Sequence, residues 1–171
     1  AFVDGYYYKP RVDKEVLKKY AKGVIATSAC LGGEVQRFIL ERDLEAARAA
    51  ALEYREIFGE NNFFLELQDH GMPDQARVNR ELVKLSEDLK IPLTASNDVH
   101  YLNKDDAKSH DVLLCIQTGK TIKEENRMKF PSDEFYLKSP DEMAALFPEN
   151  KDALENTVKI AERCNVEIKF H

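Results

Sequence analysis

Tryptophan is absent from this 171-residue sequence, and so is any long apolar run. No stretch approaches the roughly 18 apolar residues that a membrane-spanning helix needs, so no membrane partner is expected. The opening, Ala1-Phe2-Val3-Asp4-Gly5-Tyr6, lacks a basic segment followed by a long apolar one, and no signal peptide is expected there. It also lacks Met and opens inside an apolar-aromatic stretch, the pattern expected of a piece of something larger. Cysteine is scarce: Cys30, Cys115 and Cys164 lie far apart, with no Cys-x-x-Cys pair. An odd number at such spacing argues against a disulfide scaffold and for a reducing cytoplasm. Positive charge is in deficit, with 25 basic residues against 31 acidic ones and a net charge of -6. Such a surface repels phosphates, so the bulk of it is a poor grip for nucleic acid, although a local basic patch stays compatible with it. Histidine is sparse too, and none precedes His70.

What is present describes one globular domain with a sizeable core: 43% apolar and 33% charged residues. Three short apolar runs predict strands: Gly23 to Ala29, Asn62 to Leu67, and Ile91 to Ala95 continuing towards Asn97. Each is apolar on both faces, which suits buried parallel strands. Helices are predicted between and after them. One runs to Tyr20 with Asp13 as N-cap, and a short one covers Glu34 to Leu40. The clearest spans Asp43 to Phe58, with Leu44, Ala47, Ala51, Tyr54 and Phe58 at helical spacing and Gly59 as its stop. Pro73 to Leu89 carries the stripe Val78, Leu82, Leu85 and Leu89. Lys104 to Thr118 carries Ala107, Val112, Leu113 and Ile116. Ser139-Pro140-Asp141-Glu142 reads as a capped helix start, and a last helix runs from about Lys151 to Cys164. The polar stretch from Gly119 to Leu137 breaks the alternation and reads as an excursion or linker. Alternating strands and helices imply an α/β fold with a parallel sheet, and three strands are too few to close a barrel.

In such folds chemistry gathers at the C-terminal ends of the strands. The third predicted strand ends in Asp98-Val99-His100. In extended chain these two share a face, and a carboxylate beside an imidazole suits zinc or manganese. The plain alternative is an Asp capping a loop with a His packed on it. The first strand ends at Cys30, before the Gly32-Gly33 pair. Its thiolate is a candidate metal ligand; the plain alternative is a small buried apolar residue. The second strand ends in Glu66-Leu67-Gln68-Asp69-His70-Gly71. Glu66 and His70 share a parity and are candidates to orient the ligands or touch substrate, with turn or packing roles as the alternative. His110, Cys115 and Cys164 fall inside predicted helices and are expected to pack, and His171 is terminal and uninformative. Thr118-Gly119-Lys120-Thr121 has the tail of a phosphate-binding loop without its first glycine, where Leu114 stands. Lys9-Pro10-Arg11 reads as a solvated turn, with phosphate contact as the alternative.

Several segments carry a resemblance, in order, over essentially the whole chain. They are Tyr7 to Asp13, Ser28 to Glu34, Leu65 to Gly71, Asn97 to Leu102, His110 to Thr121 and Glu134 to Ser139. Together they resemble the alpha (catalytic) subunit family of bacterial DNA polymerase III. The likeness is to the later half of its polymerase and histidinol phosphatase (PHP) domain, at residues 1–118, then to the linker and helices leading to the palm, at 119–171. It implies part of a distorted (β/α)7 barrel. It also implies a site for divalent ions such as zinc, manganese or magnesium. Cys30, Asp98 and His100 match three of about nine ligands; an early His-x-His and its companions have no counterpart here. The ion is therefore expected to bind this chain weakly. The resemblance further implies DNA replication in the cytoplasm, with DNA, a proofreading exonuclease subunit and a sliding clamp as partners. The implied activity is DNA polymerisation by the parent protein and metal-dependent 3′→5′ digestion at the PHP site. The other reading is a non-catalytic scaffold.

Overall fold

The computed structural model describes residue 3 and residues 5–170. His171 and residues 1, 2 and 4 of the opening segment lie outside the described residues. Strands β1 (Tyr6–Tyr7) and β2 (Lys9–Pro10) form a small antiparallel hairpin. Helix α1 (Lys14–Tyr20) follows, then β3 (Ala26–Thr27), α2 (Glu34–Leu40), α3 (Leu44–Phe58), β4 (Phe63–Leu67), α4 (Pro73–Leu89) and β5 (Leu93–Ala95). A 3-10 turn at Lys104–Asp106 leads into α5 (Ala107–Thr118), and α6 (Pro140–Leu146) and α7 (Lys151–Arg163) end the chain.

The sheet is parallel, in the order β3-β4-β5, with Leu65 opposite Leu93 and Thr27 opposite Phe64. All three strands are shorter than their apolar runs. β3 is cut by left-handed backbone at Gly23 (φ 80) and Ala29 (φ 63), which no strand accommodates. β5 starts only after Pro92, which has no N–H to give a ladder. One face of β4 and β5, carrying Leu65, Leu67, Leu93 and Ala95, is buried in the core with Val78, Leu82, Leu85 and Leu89 of α4. Each element forms for a local reason. Asp43 caps α3 by accepting from the Ala46 amide at 2.9 Å, and Asp13 does the same for α1 from Val16 at 2.8 Å. α7 closes the open side of β5: Ala153 is in the core, and the Asn156 amide donates to the Leu93 carbonyl at 2.8 Å.

Two packing expectations are corrected. Cys164 is exposed, because α7 ends at Arg163 and leaves it on the cap. On α5 only Leu114 and Cys115 are buried. Val112, Leu113 and Ile116 are exposed, because the apolar residues of α5 are spread around the helix and only Leu114 and Cys115 reach the interior.

The capping box predicted at Ser139 is present. The Glu142 carboxylate accepts from the Ser139 amide at 2.7 Å and from the Tyr136 hydroxyl at 2.6 Å. The Tyr136 hydroxyl and then the Ser139 backbone hold this carboxyl down, from 4.5 to about 2. A lowered folded value stabilises the fold above the unfolded value and loses that contribution as pH falls through the folded one. The melting temperature of the parent is therefore expected to exceed that of Glu142→Gln most above about pH 5, with the gap shrinking towards pH ~2. Thermal melts across this range check it; a gap independent of pH counts against the assignment.

Candidate metal centre

The mouth of β3 is a turn held by its neighbours. Ala29 takes up left-handed backbone, an uncommon choice for a residue with a side chain. The buried Gln36 amide fixes it, donating to the Ser28 hydroxyl at 2.7 Å and to the Ala29 carbonyl at 2.8 Å. Gly33 closes the same turn. A Cβ there would sit 2.1 Å from the Ser28 carbonyl oxygen, so only glycine fits. The result is an exposed Cys30 at the rim.

The middle strand supplies Glu66. Its carboxylate accepts the Thr27 hydroxyl from β3 and the Ser96 hydroxyl from just beyond β5, and the Gln68 amide at 2.8 Å. Its own backbone N–H donates to the Ser28 hydroxyl at 2.9 Å. Glu66 therefore ties all three strand ends together.

His70 is 1% exposed. Gln75 receives the His70 backbone N–H on its carbonyl oxygen at 2.8 Å, so its NH2 faces Nδ1, also at 2.8 Å. Nδ1 accepts; Nε2 then carries the proton and donates to the Asn97 carbonyl at 2.8 Å. Both ring nitrogens are occupied by protein. The ring also stacks on Phe135, with centroids 3.8 Å apart and planes at 13°. His70 thus fixes the peptide immediately before Asp98.

Asp98 corrects one geometric expectation. The chain is not extended there: Asp98 has φ 43, left-handed backbone. The two side chains meet all the same, with His100 Nε2 3.4 Å from Asp98 Oδ1. A turn brings them together where strand alternation was expected to. Non-glycine residues in this region cost of order 1–3 kcal/mol, and the surrounding bonds hold Asp98 in place. Asn97 is clamped by the His70 contact and by its own amide, which donates to the carbonyls of Glu134 (3.0 Å) and Tyr136 (2.6 Å). The His100 amide donates to the Phe135 carbonyl at 2.8 Å. The His100 ring meets Phe130 edge-on at 4.6 Å.

Cys30 and Asp98 line one cleft of about 280 Å³, together with Gln68, Lys129, Phe130 and Phe135. His100 reaches Asp98 but does not itself line the cleft. A thiol, a carboxylate and an imidazole are a fitting donor set for zinc, and the carboxylate and imidazole alone also suit manganese. Among the described residues, however, no three His, Cys, Asp or Glu side chains converge on one point. The fit is that of a rim rather than of a closed cage. Sequence reasoning missed Gln36, Asn97, Lys129, Phe130 and Phe135. Two aromatics spaced through an otherwise polar excursion were the available signal for the last two.

The excursion has its own anchor. Arg127 forms a two-pronged pair with Asp111 of α5, at 2.5 and 2.8 Å, and its hydrogen bonds hold the Asp111 carboxyl below its ordinary value. Burial lowers His110 beside it; the neighbouring His100 adds to this, and Asp111 opposes it.

Comparison with known proteins places these features in a family. Residues 1–70 match the PHP domain model. The chain is 50% identical over 165 residues to a DNA polymerase III subunit alpha of Borreliella burgdorferi, across 96% of the chain and 14% of that protein. It is 48% identical over 170 residues to that of Deinococcus radiodurans, across 98% of the chain and 13% of that protein. This chain is a segment of the DNA polymerase III alpha-subunit family. Thermus aquaticus has a relative 44% identical over 171 residues, 98% of the chain and 14% of that protein. The chain thus spans about one-seventh of the length of the curated alpha subunits it matches. Its mixed α/β architecture with a parallel sheet agrees with PHP-domain membership. No helix among the described residues is long and apolar enough to cross a membrane.

Proposed function

We propose that this chain forms part of a bacterial replicative DNA polymerase and supplies one rim of a PHP metal site in it. Residues 1–118 are the later half of a PHP domain, and 119–171 lead towards the palm. In the longer protein the sheet continues into a distorted (β/α)7 barrel. Cys30, Asp98 and His100 are ligands there, and Glu66 and His70 hold them in register. The observation that carries this reading is the meeting of Asp98 with His100 at 3.4 Å, across a shared cleft from Cys30. When bound, divalent ions polarise a phosphodiester and activate water near neutral pH. Zinc, manganese and magnesium are the candidate ions. The reaction is 3′→5′ digestion of DNA in the cytoplasm, alongside polymerisation by the palm; a proofreading subunit and a sliding clamp are the partners.

The test uses the longer protein, free of any separate exonuclease, on a mismatched primer. Asp98→Asn is expected to reduce metal-dependent digestion by about 100-fold or more, since even residues that only orient a ligand change activity by 10–100-fold. Digestion unaffected by Asp98→Asn overturns the ligand role. The failure of the three donors to close on one point among the described residues favours a second reading, a metal-stabilised scaffold. That reading predicts bound metal and a melting temperature that falls on chelation, with no digestion at all.

A further inference from the structure

The β1–β2 hairpin concentrates what the rest of the surface lacks. Between Gly5 and Lys22 stand six basic residues against two acidic ones, in a chain of net charge -6. Lys14 is spoken for by Glu34 and Glu53, and Lys18 by Glu56. Among the described residues Lys9, Arg11, Lys19 and Lys22 form no ion pair, so their charge faces solvent. Four tyrosines are interleaved with them, and all are exposed: Tyr6, Tyr7, Tyr8 and Tyr20. Tyr7 pairs with Lys9 across the hairpin, which puts Tyr8 at the tip, 81% exposed, in left-handed backbone at φ 59 and edge-on to the Tyr7 ring at 4.7 Å. Four exposed tyrosines within one short segment make an aromatic patch, unlike the singly scattered apolar residues of an ordinary surface. The cations sit against the rings, with the Arg11 guanidinium 5.8 Å from the Tyr7 centroid and the Lys19 ammonium 5.2 Å from that of Tyr20. A cleft of about 490 Å³ opens beside the hairpin, with Gly5, Arg11, Lys19 and Tyr20 on its wall.

We infer that this hairpin and the adjoining face of α1 bind single-stranded nucleic acid, with the tyrosines stacking on bases and Lys9, Arg11, Lys19 and Lys22 following the phosphates. Exposed rings on the hairpin, with Lys9 and Arg11 after its tip and Lys19 and Lys22 at the end of α1, match the two faces of an unpaired strand, an aromatic base and an anionic backbone. A duplex hides its bases from such rings. An acidic peptide satisfies the cations and leaves the rings idle, so the tyrosines decide for the nucleic acid. The site is separate from the rim formed by Cys30, Asp98 and His100 and needs no ion.

The test is fluorescence anisotropy of this chain with a labelled oligothymidylate of about 12 nucleotides, in EDTA so that the metal site is silent. Tyr8→Ala is expected to weaken binding about tenfold, and Tyr8→Phe to retain it, since stacking uses the ring alone. The double variant Lys9→Ala/Arg11→Ala is expected to flatten the salt dependence by about 1.4 in log-log slope, roughly 0.7 for each phosphate that is no longer neutralised. The control Lys108→Ala/Lys151→Ala leaves binding intact. Circular dichroism confirms that each variant folds. Binding that ignores both Tyr8→Ala and the double variant overturns the inference, as does a control pair that weakens it equally. Displacement by oligoglutamate as effective, charge for charge, as by unlabelled oligothymidylate assigns the patch to an acidic protein and overturns it too. Asp98→Asn leaves this binding unchanged, so failure of the metal-site reading and failure of this one are told apart.

Discussion

His70→Ala is expected to lower the stability of the chain by about 3–5 kcal/mol. Removing the ring strands the Gln75 amide and the Asn97 carbonyl in a buried place, at about 1–3 kcal/mol each. It also deletes the stack on Phe135, worth about 1 kcal/mol. Urea unfolding of parent and variant measures the difference. A loss below about 1 kcal/mol says that water replaces the ring and that its two bonds do not hold the fold. The variant also frees the peptide before Asp98, so its ion affinity in the longer protein is expected to fall with its stability.

Leu65→Ala is the second large effect. Leu65 is fully buried at the centre of the sheet, on the strand flanked by both others. Truncation there removes packing against α4 and leaves a cavity that the rigid sheet cannot collapse. The expected cost is about 3–5 kcal/mol, a large share of the 5–15 kcal/mol typical of a domain. Leu113→Ala supplies the contrast. That side chain is exposed on α5, and its removal is expected to stay within about 0.5 kcal/mol. Similar losses for both variants mean that α5 is packed in solution and that its outward face is covered.

Helix positions are legible in the sequence because their signals are local. Asp13, Asp43 and Ser139 cap where capping chemistry places them, and the α4 stripe is buried as its spacing predicts. The parallel strands are legible as apolar runs, but their ends are not. Those ends are set by left-handed turns at Ala29, which alanine does not advertise, and at Asp98, where aspartate permits such a turn without requiring it. The hairpin at Tyr6 to Pro10 escapes sequence reasoning because its turn contains no Gly or Asn. The candidate ligands are legible as residue types at strand ends, and the meeting of Asp98 with His100 as their nearness in sequence. What holds them is not, because Gln36, Gln75 and Asn97 act through bonds to residues 5 to 39 positions away. Amphipathic spacing carries no trace of such contacts. The outward side of α5 departs from expectation for a related reason: periodicity shows which residues are apolar, not whether a neighbour covers them.

Glu66 has one more consequence. One carboxylate bridging hydroxyls from both flanking strands acts as a strut across the sheet's upper edge. The span between the thiol on one side and the turn carrying Asp98 on the other is therefore fixed before any ligand arrives. On the proposed metal-site reading, selection by ionic radius belongs to the sheet as much as to the donor atoms.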